Sequence, residues 1–561
     1  VPPPEASEET IEFLEACQYV DNVQSVIGTD NVITRYRNMV ASWANRKEKT
    51  TSYHHHIGHY KAVMKDEYLS WFFFQRAEIP SISGYSPAQF RECIDLMILK
   101  RAMHFELTKQ RTLGILDTQF NHMNKNIGYC TMRNAIALDS LATEQFSRPG
   151  RSAIDQCASK RFTIDHHQSR RLSFAMTSCD LAGCYDRIVH NAAALALLRV
   201  GISHAKIECM FGSIQRMTHR IRTAFGDSDV TYGGDDFGDW KCAPQGVLQG
   251  NASGPAVWSA LSSIIFEILH KRGFGNQFCS ALSKELFVIV GYSYVDDCDL
   301  FQSGEDPDEV LESMQRLINS WGSLMEVTGG ALRPDKSWWY LVKYHWDRGT
   351  WKATDAGADK VLTAKGPDGV VQTLKHLDVS ESAEMLGVWM SPSGDRSKLV
   401  SHLKRQAIDW AGKVRLGRAS QDEAWTALTT NVSARLKYPL PCSTLSEKEC
   451  KSIMFPAVRA ALGKAGMASN MQGGIRDGPI LDGGAGALSL FHYQGTSRVA
   501  LLLDHCVRDT PTGKQLQICI EDLVMEIGMY GPLWNQRFNT YKKWTSSHSW
   551  IHHVCSYCND N

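Results

Sequence analysis

The chain has 561 residues, 43% of them hydrophobic and 21% charged, which excludes a disordered protein and leaves room for several domains. Lys plus Arg and Asp plus Glu both number 60, so a globally basic nucleic-acid coat is excluded and any nucleic-acid site must be a local patch. There is no membrane-spanning run of about 18 apolar residues. Val1-Pro2-Pro3-Pro4-Glu5 is no signal peptide, and its lack of Met suggests a fragment or a processed product. The 16 scattered cysteines suit reduced thiols, with a nuclear or cytoplasmic location expected.

Residues 1–94 carry the least information and read as an N-terminal extension. Tyr53-His54-His55-His56-Ile57-Gly58-His59 lacks a Cys or acidic partner, so it reads as polar surface rather than a metal site. Trp71-Phe72-Phe73-Phe74 reads as core. From about 95 to 171, basic residues interrupt apolar segments. There Arg148 and Arg151 flank Pro149-Gly150, just before a helix introduced by Ser152. Such a turn can aim guanidinium groups and free amides at phosphates; a capped helix with solvated arginines explains the same residues.

Leu172 to Asp180 reads as a short buried strand ending on a carboxylate. A turn with Tyr185 and Asp186 follows, then an Ala/Leu-rich helix from Ala192 to Val200. Asp227, Asp229, Asp235, Asp236 and Asp239 lie among glycines and predict a solvated loop or hairpin, not a metal site. Pro244 to Pro255 is a Gly-rich loop. Its glycines permit close backbone approach, and Gln249 offers both a donor and an acceptor. The helix after it places Val257, Trp258, Leu261, Ile264, Ile265 and Ile268 on one face.

Between Leu286 and Phe301 an apolar run climbs into Asp296-Asp297 and falls back into apolar residues. This predicts a β-hairpin with both carboxylates at its turn. Adjacent carboxylates repel, so such a turn suits a cation, and hard oxygen ligands favour Mg²⁺ over zinc. An ordinary Asp-rich turn is the alternative that the pair alone leaves open. Pro307 then opens a helix with Val310, Leu311, Met314, Leu317, Ile318, Trp321, Leu324 and Met325 inward, ending at Gly329-Gly330. Arg333-Pro334-Asp335-Lys336 enters a strand. Residues 340–378 read as added hairpins, with a turn at 365–369, and Leu386-Gly387-Val388 as a further short strand. From 395 the pattern is helical. Arg396, Lys398, Lys404, Arg405, Lys413, Arg415 and Arg418 form either a solvated face or a track for a phosphate backbone. Residues 472–486 read as a Gly-rich loop. His552, His553, Cys555 and Cys558 hold one CxxC, short of a spaced zinc set.

Taken in order, these motifs resemble a reverse transcriptase, most closely that of non-LTR (LINE-like) retroelements of a divergent group found in diatoms and other unicellular eukaryotes. The resemblance runs through Arg148-Pro149-Gly150-Arg151-Ser152, Asp180 to Asp186, the Gln249-Gly250 loop, Tyr294-Val295-Asp296-Asp297, Gly329-Gly330 with Pro334-Asp335-Lys336, and Leu386-Gly387-Val388. It covers about 105 to 390 motif by motif and continues loosely to about 530. It implies an α+β right-hand polymerase fold. Fingers would span 95–171 and a palm with an antiparallel sheet 172–345, with fingers-type insertions. A β-hairpin region with the primer grip would span 346–394, a helical thumb and C-terminal extension 395–530, and a tail 531–561.

The resemblance also implies roles. Asp180 and Asp296 match the metal-binding aspartates and Asp297 the accompanying carboxylate. Tyr185 matches the aromatic gate against a ribose 2′-hydroxyl, and Gln249 and Gly250 the loop holding template and incoming nucleotide. Arg148 and Arg151 match the fingers segment over the template, Lys336 the proton donor to pyrophosphate, and Leu386, Gly387 and Val388 the primer grip. Two Mg²⁺ ions (or Mn²⁺), dNTPs, an RNA template and a DNA primer or target DNA are the implied cofactors and partners. One departure is Gly254-Pro255 where Ser-Pro is usual, with Ser253 one residue earlier. A viral RNA-dependent RNA polymerase usually carries Gly at the Val295 position and lacks an aromatic gate at Tyr185. A domesticated, RNA-binding palm would tend to lose metal carboxylates that this chain keeps. No endonuclease or RNase H constellation is evident.

Overall fold

A computed structural model describes residues 4–18, 31–47, 56–100, 103, 105–106, 110–234, 244–468, 470–529, 531–535, 537–546 and 548–561. His54, His55, Asp235, Asp236 and Asp239 of the motifs above lie outside the described residues. The protein is α+β. Its strands are β1 (Glu92–Leu99), β2 (Gln110–Leu116), β3 (Ser173–Cys179), β4 (Thr218–Thr223), β5 (Gly226–Gly233), β6 (Asn276–Cys279), β7 (Leu286–Ile289), β8 (Gly291–Tyr294), β9 (Asp297–Gly304), β10 (Trp338–Asp347), β11 (Thr350–Asp355), β12 (Thr363–Lys365), β13 (Val371–Thr373), β14 (Lys375–His376), β15 (Ala383–Met385) and β16 (Val388–Met390).

The central sheet has the order β11-β10-β3-β9-β8, antiparallel throughout, with short β14 parallel to β10. Alternation along each strand divides its side chains between two cores. Ala175, Cys179, Cys298, Leu300, Trp339 and Leu341 pack with the helices Gly254–Lys271 and Pro307–Val327. Phe174, Met176, Tyr292, Phe301, Tyr340 and Val342 pack with the helix Ala153–Arg170. The Pro307 helix forms as its sequence dictates. Asp306 caps it, Pro307 occupies the first turn, and Val310, Met314, Leu317, Ile318, Trp321, Leu324 and Met325 are buried, while Leu311 is half-buried.

A second sheet has the order β2-β1-β4-β5, with β1 parallel to β4. The β4–β5 hairpin thus completes a sheet begun before residue 100. Its edge strand β5 is largely exposed, in keeping with its Asp and Gly content. The helix Ser397–Leu416 buries Leu399, Leu403 and Ala407 in a third core shared with the helix Glu447–Lys464, buries Ala411 and Val414 as well, and leaves Lys404, Arg405, Lys413 and Arg415 exposed. Within 472–486 the chain forms a short helix, Gly473–Asp477, and a 3-10 turn, Ile480–Asp482.

The helix Ala153–Arg170 begins with a capping box between Ser152 and Asp155. It is covered from far downstream by the helices Pro511–Glu526 and Trp550–Asp560. Trp550 is fully buried edge-on against Phe162, with ring centroids 5.2 Å apart. Its N–H donates to Asp165 Oδ2 at 2.6 Å and its Nε1–H to the Pro441 carbonyl at 2.8 Å. Among the described residues, no helix is long and apolar enough to cross a membrane.

Candidate active site

β3 and β9 pair with Cys179 opposite Cys298 and Ser178 opposite Asp299. One more residue along each strand sets Asp180 against Asp297. Side-chain alternation then puts Asp180, Asp297 and Asp299 on one face of the sheet, the face that carries the Ala153 helix. Tyr294 pairs with Asp297, so Val295 and Asp296 form a two-residue turn. Val295 has a left-handed φ of 59°, rare for a β-branched residue, and its carbonyl accepts the Trp258 indole N–H. The helix after the Gln-Gly loop therefore holds the tip of the Asp-Asp hairpin.

Asp180 is fixed by the segment that enters β10. Its N–H donates to Ser337 Oγ at 3.1 Å, and its carbonyl accepts the Arg333 N–H at 2.9 Å. The Lys336 ammonium lies 3.4 Å from Asp180 Oδ2. Ser337 was not singled out by sequence, where it is only a small polar residue ahead of a Trp-Trp strand.

The electrostatics of this edge are those of crowded acids. Partial withdrawal from water, then repulsion from Asp296 and Asp299, pushes the Asp297 carboxyl up to about 6, while Lys160 pulls it back and Asp180 adds to the repulsion. Asp297 keeps some solvent access, and both withdrawal from water and like-charge repulsion act on it. Asp180 Oδ2 is shielded from water and accepts no hydrogen bond, and the Lys336 ammonium lies 3.4 Å from it. Hard oxygens short of donors and long on charge fit a divalent cation such as Mg²⁺.

The aspartates do not crowd onto a single point. Among the described residues, the three ligating side chains whose donor atoms all lie within 4.8 Å of one another are Cys93, Asp95 and His219, on β1 and β4. That group is internally satisfied. Asp95 accepts from His219 Nδ1 at 3.0 Å, from the Tyr232 hydroxyl, and from Cys93 Sγ at 3.6 Å. Burial pushes Asp95 up, but its His219, Tyr232 and Cys93 donors together hold it below the usual carboxylate range.

The Gln-Gly loop is clamped between the turn after β3 and the second sheet. The Val247 N–H donates to the Tyr185 carbonyl at 2.7 Å, and the Gly114 N–H to the Gln249 carbonyl at 2.7 Å. Gly250 has φ 120°, and a Cβ there would stand 2.2 Å from the Gly114 carbonyl oxygen, so only glycine fits. Burial and the nearby Asp95 raise the Asp186 carboxyl, while the Gln249 N–H lowers it. The Tyr185 ring rests on Gly254, where an added Cβ would meet ring carbons at 3.5 Å. The departure from Ser-Pro therefore falls where the loop meets the ring.

Arg151 is engaged locally. Its Nη1 donates to the carbonyls of Thr143 at 2.7 Å and Gln145 at 2.9 Å, and its guanidinium lies 5.5 Å from the Phe146 ring centroid. It shapes the turn that carries Arg148, and this turn is joined to β8 by the Phe146 N–H to the Ser293 carbonyl at 2.9 Å. Leu386-Gly387 is not strand, as its apolar character suggested. With φ of 49° and 81°, the two residues make the tight turn between β15 and β16, and Val388 starts β16. The Leu386 carbonyl accepts from the Tyr438 hydroxyl at 2.9 Å, and the Met385 carbonyl from the Cys157 thiol at 3.4 Å. His552 and His553 lie on the last helix, where burial lowers them to about 4 and about 2, and they form no such close three-ligand group with Cys555 and Cys558.

No protein-family model and no characterised protein matches the sequence. Solved structures do show similarity. A telomerase from Candida albicans, in complex with a fragment of telomeric RNA, matches at a TM-score of 0.31 and 11% identity over 80% of this chain and 71% of that one. An apo telomerase from Candida tropicalis, truncated from its C-terminal domain, matches at a TM-score of 0.32 and 14% identity over 52% of this chain and 56% of that one. At these scores the functional reading rests on the residues themselves.

Proposed function

We propose that this chain is an RNA-directed DNA polymerase, the reverse transcriptase of a non-LTR retroelement, which transfers nucleotides from dNTPs to a primer 3′-hydroxyl. The observation that carries the reading is the position of Asp180, Asp296 and Asp297 at the same end of the β3–β9–β8 sheet, with the Lys336 ammonium 3.4 Å from Asp180 Oδ2. Those three carboxylates would hold two Mg²⁺ ions, which when bound activate the primer hydroxyl and neutralise the triphosphate and departing pyrophosphate. The protein's own part is positioning and charge. Tyr185, backed by Gly254, closes the space a ribose 2′-hydroxyl would need. Lys336 holds a proton for the leaving group. The clamped Gln249-Gly250 loop presents backbone to the base pair being formed, and Lys404 and Arg405 lie along the duplex backbone.

Primer extension on RNA and DNA templates, with dNTPs and then rNTPs, tests the reading. The native protein should extend with dNTPs and copy RNA. Tyr185→Ala should admit rNTPs while keeping part of its dNTP activity, because the carboxylates remain. A native preference for rNTPs would assign an RNA polymerase instead. Extension by neither would leave an RNA-binding scaffold.

A further inference from the structure

Lys160 lies on the Ala153 helix and is 1% exposed; its ammonium is paired with Asp299, itself 5% exposed. Neither residue belongs to a motif. A buried ion pair is seldom a net source of stability: both ions lose hydration, and an apolar pair of similar volume often serves as well. Its location suggests another use. Asp299 shares the sheet face of Asp297 and Asp180 and stands two residues from Asp297, about 6.8 Å along the strand. That one face thus carries three carboxylates in a row with Asp296 at the turn, one more acid than the three-aspartate reading uses. Lys160 is held close enough to act on Asp297 as well as on Asp299.

We propose that Lys160 is a built-in counter-ion that occupies Asp299 and so restricts the metal-binding set to Asp180, Asp296 and Asp297. This rests on the metal-binding reading above. The flexible stem of a lysine brings a single compact positive charge to one carboxylate and takes up the place a cation would otherwise hold there. With the ammonium gone, Asp299 would be an unpaired acid beside Asp297, free to draw a metal ion away from the reacting groups. With Asp299 neutral, the ammonium would have no counter-ion, and its field would work against cations at the three remaining acids.

The test is Mn²⁺ binding to the full chain, counted by electron paramagnetic resonance, with primer extension over a metal titration alongside. Lys160→Met should bind an extra equivalent of Mn²⁺ and lose turnover as metal rises, whereas Lys160→Met/Asp299→Leu should return to the native metal count. Asp299→Asn should bind Mn²⁺ roughly tenfold more weakly than the native chain, because an unneutralised charge then acts on Asp297. A folded Lys160→Met with native metal count and native metal titration would overturn the proposal. If Lys160→Met does not fold, Asp299→Asn decides alone, and native Mn²⁺ affinity in that variant would overturn it. A native chain whose Mn²⁺ binding is untouched by Asp296→Asn would instead refute the metal-binding reading on which this one rests.

Discussion

Asp95 in the second sheet and Asp297 in the central sheet are both acids on strands, but their surroundings differ. Asp95 is buried and supplied with donors from within the protein by His219, Tyr232 and Cys93, and its carboxyl is held below the usual range. Asp297 stands at a strand end among other carboxylates, and its carboxyl is pushed up to about 6. A buried acid that the chain satisfies itself is part of the scaffold. An acid that the chain surrounds with like charge is completed only from outside. The difference separates a structural network from a candidate reaction centre in terms of partners alone.

The sharpest way to break this contrast is Asp296→Asn. It should reduce nucleotide addition on the order of 10³-fold or more, since metal-borne charge stabilisation contributes several kcal/mol. The melting temperature should stay level or rise, because repulsion falls and no packing is lost. Mg²⁺ should raise the melting temperature of the native protein and not of this variant, as read by differential scanning fluorimetry. Asp95→Asn should show the converse. Its amide would face donors with a donor, so urea unfolding should report a loss of about 1–3 kcal/mol with metal response intact.

Acid should reach the scaffold through its buried histidines. Burial lowers His122 and His190 to about 4 and His167 to about 3, whereas an unfolded histidine titrates near 6.5. Between those values the unfolded chain binds more protons, so stability falls as pH drops below about 6.5, by up to ~1.4 kcal/mol per pH unit for each histidine. Melting curves from pH 7.5 to 5 should show that decline, and a flat profile would contradict it. The smallest effect belongs to the exposed Lys404 and Arg405. Reversing both to Glu should weaken duplex binding about tenfold at low salt and flatten its salt dependence. Unchanged affinity across a salt series would make this face plain solvated surface.

The parts legible in sequence are those written locally. The Asp-Asp hairpin follows from an apolar run broken by two acids, and the Pro307 helix from its leading proline and the spacing of its apolar residues. The Gln-Gly loop follows from its glycines, of which Gly250 stands where no other residue fits. What stayed hidden depends on pairings across long stretches of chain. β1 meets β4 across more than a hundred residues, Ser337 reaches back to the Asp180 amide, and Lys160 finds Asp299 on another element. Leu386 misleads because a branched aliphatic residue at positive φ runs against its own preference, and only Gly387 beside it hints at a turn.

Trp550, seated against Phe162 and bonded to Asp165 and Pro441, bears on how the protein is made. The helix carrying Lys160 leaves the ribosome well ahead of the Trp550 helix that covers this flank, with 385 residues between Asp165 and Trp550. During synthesis that flank stays open, its apolar residues available to a chaperone or to the RNA still being translated. The far side of the Ala153 helix can be covered only after the Pro511 and Trp550 helices have emerged. A ribosome stalled before that point would hold a chain with every acid of the reaction centre already made and its supporting layer still missing.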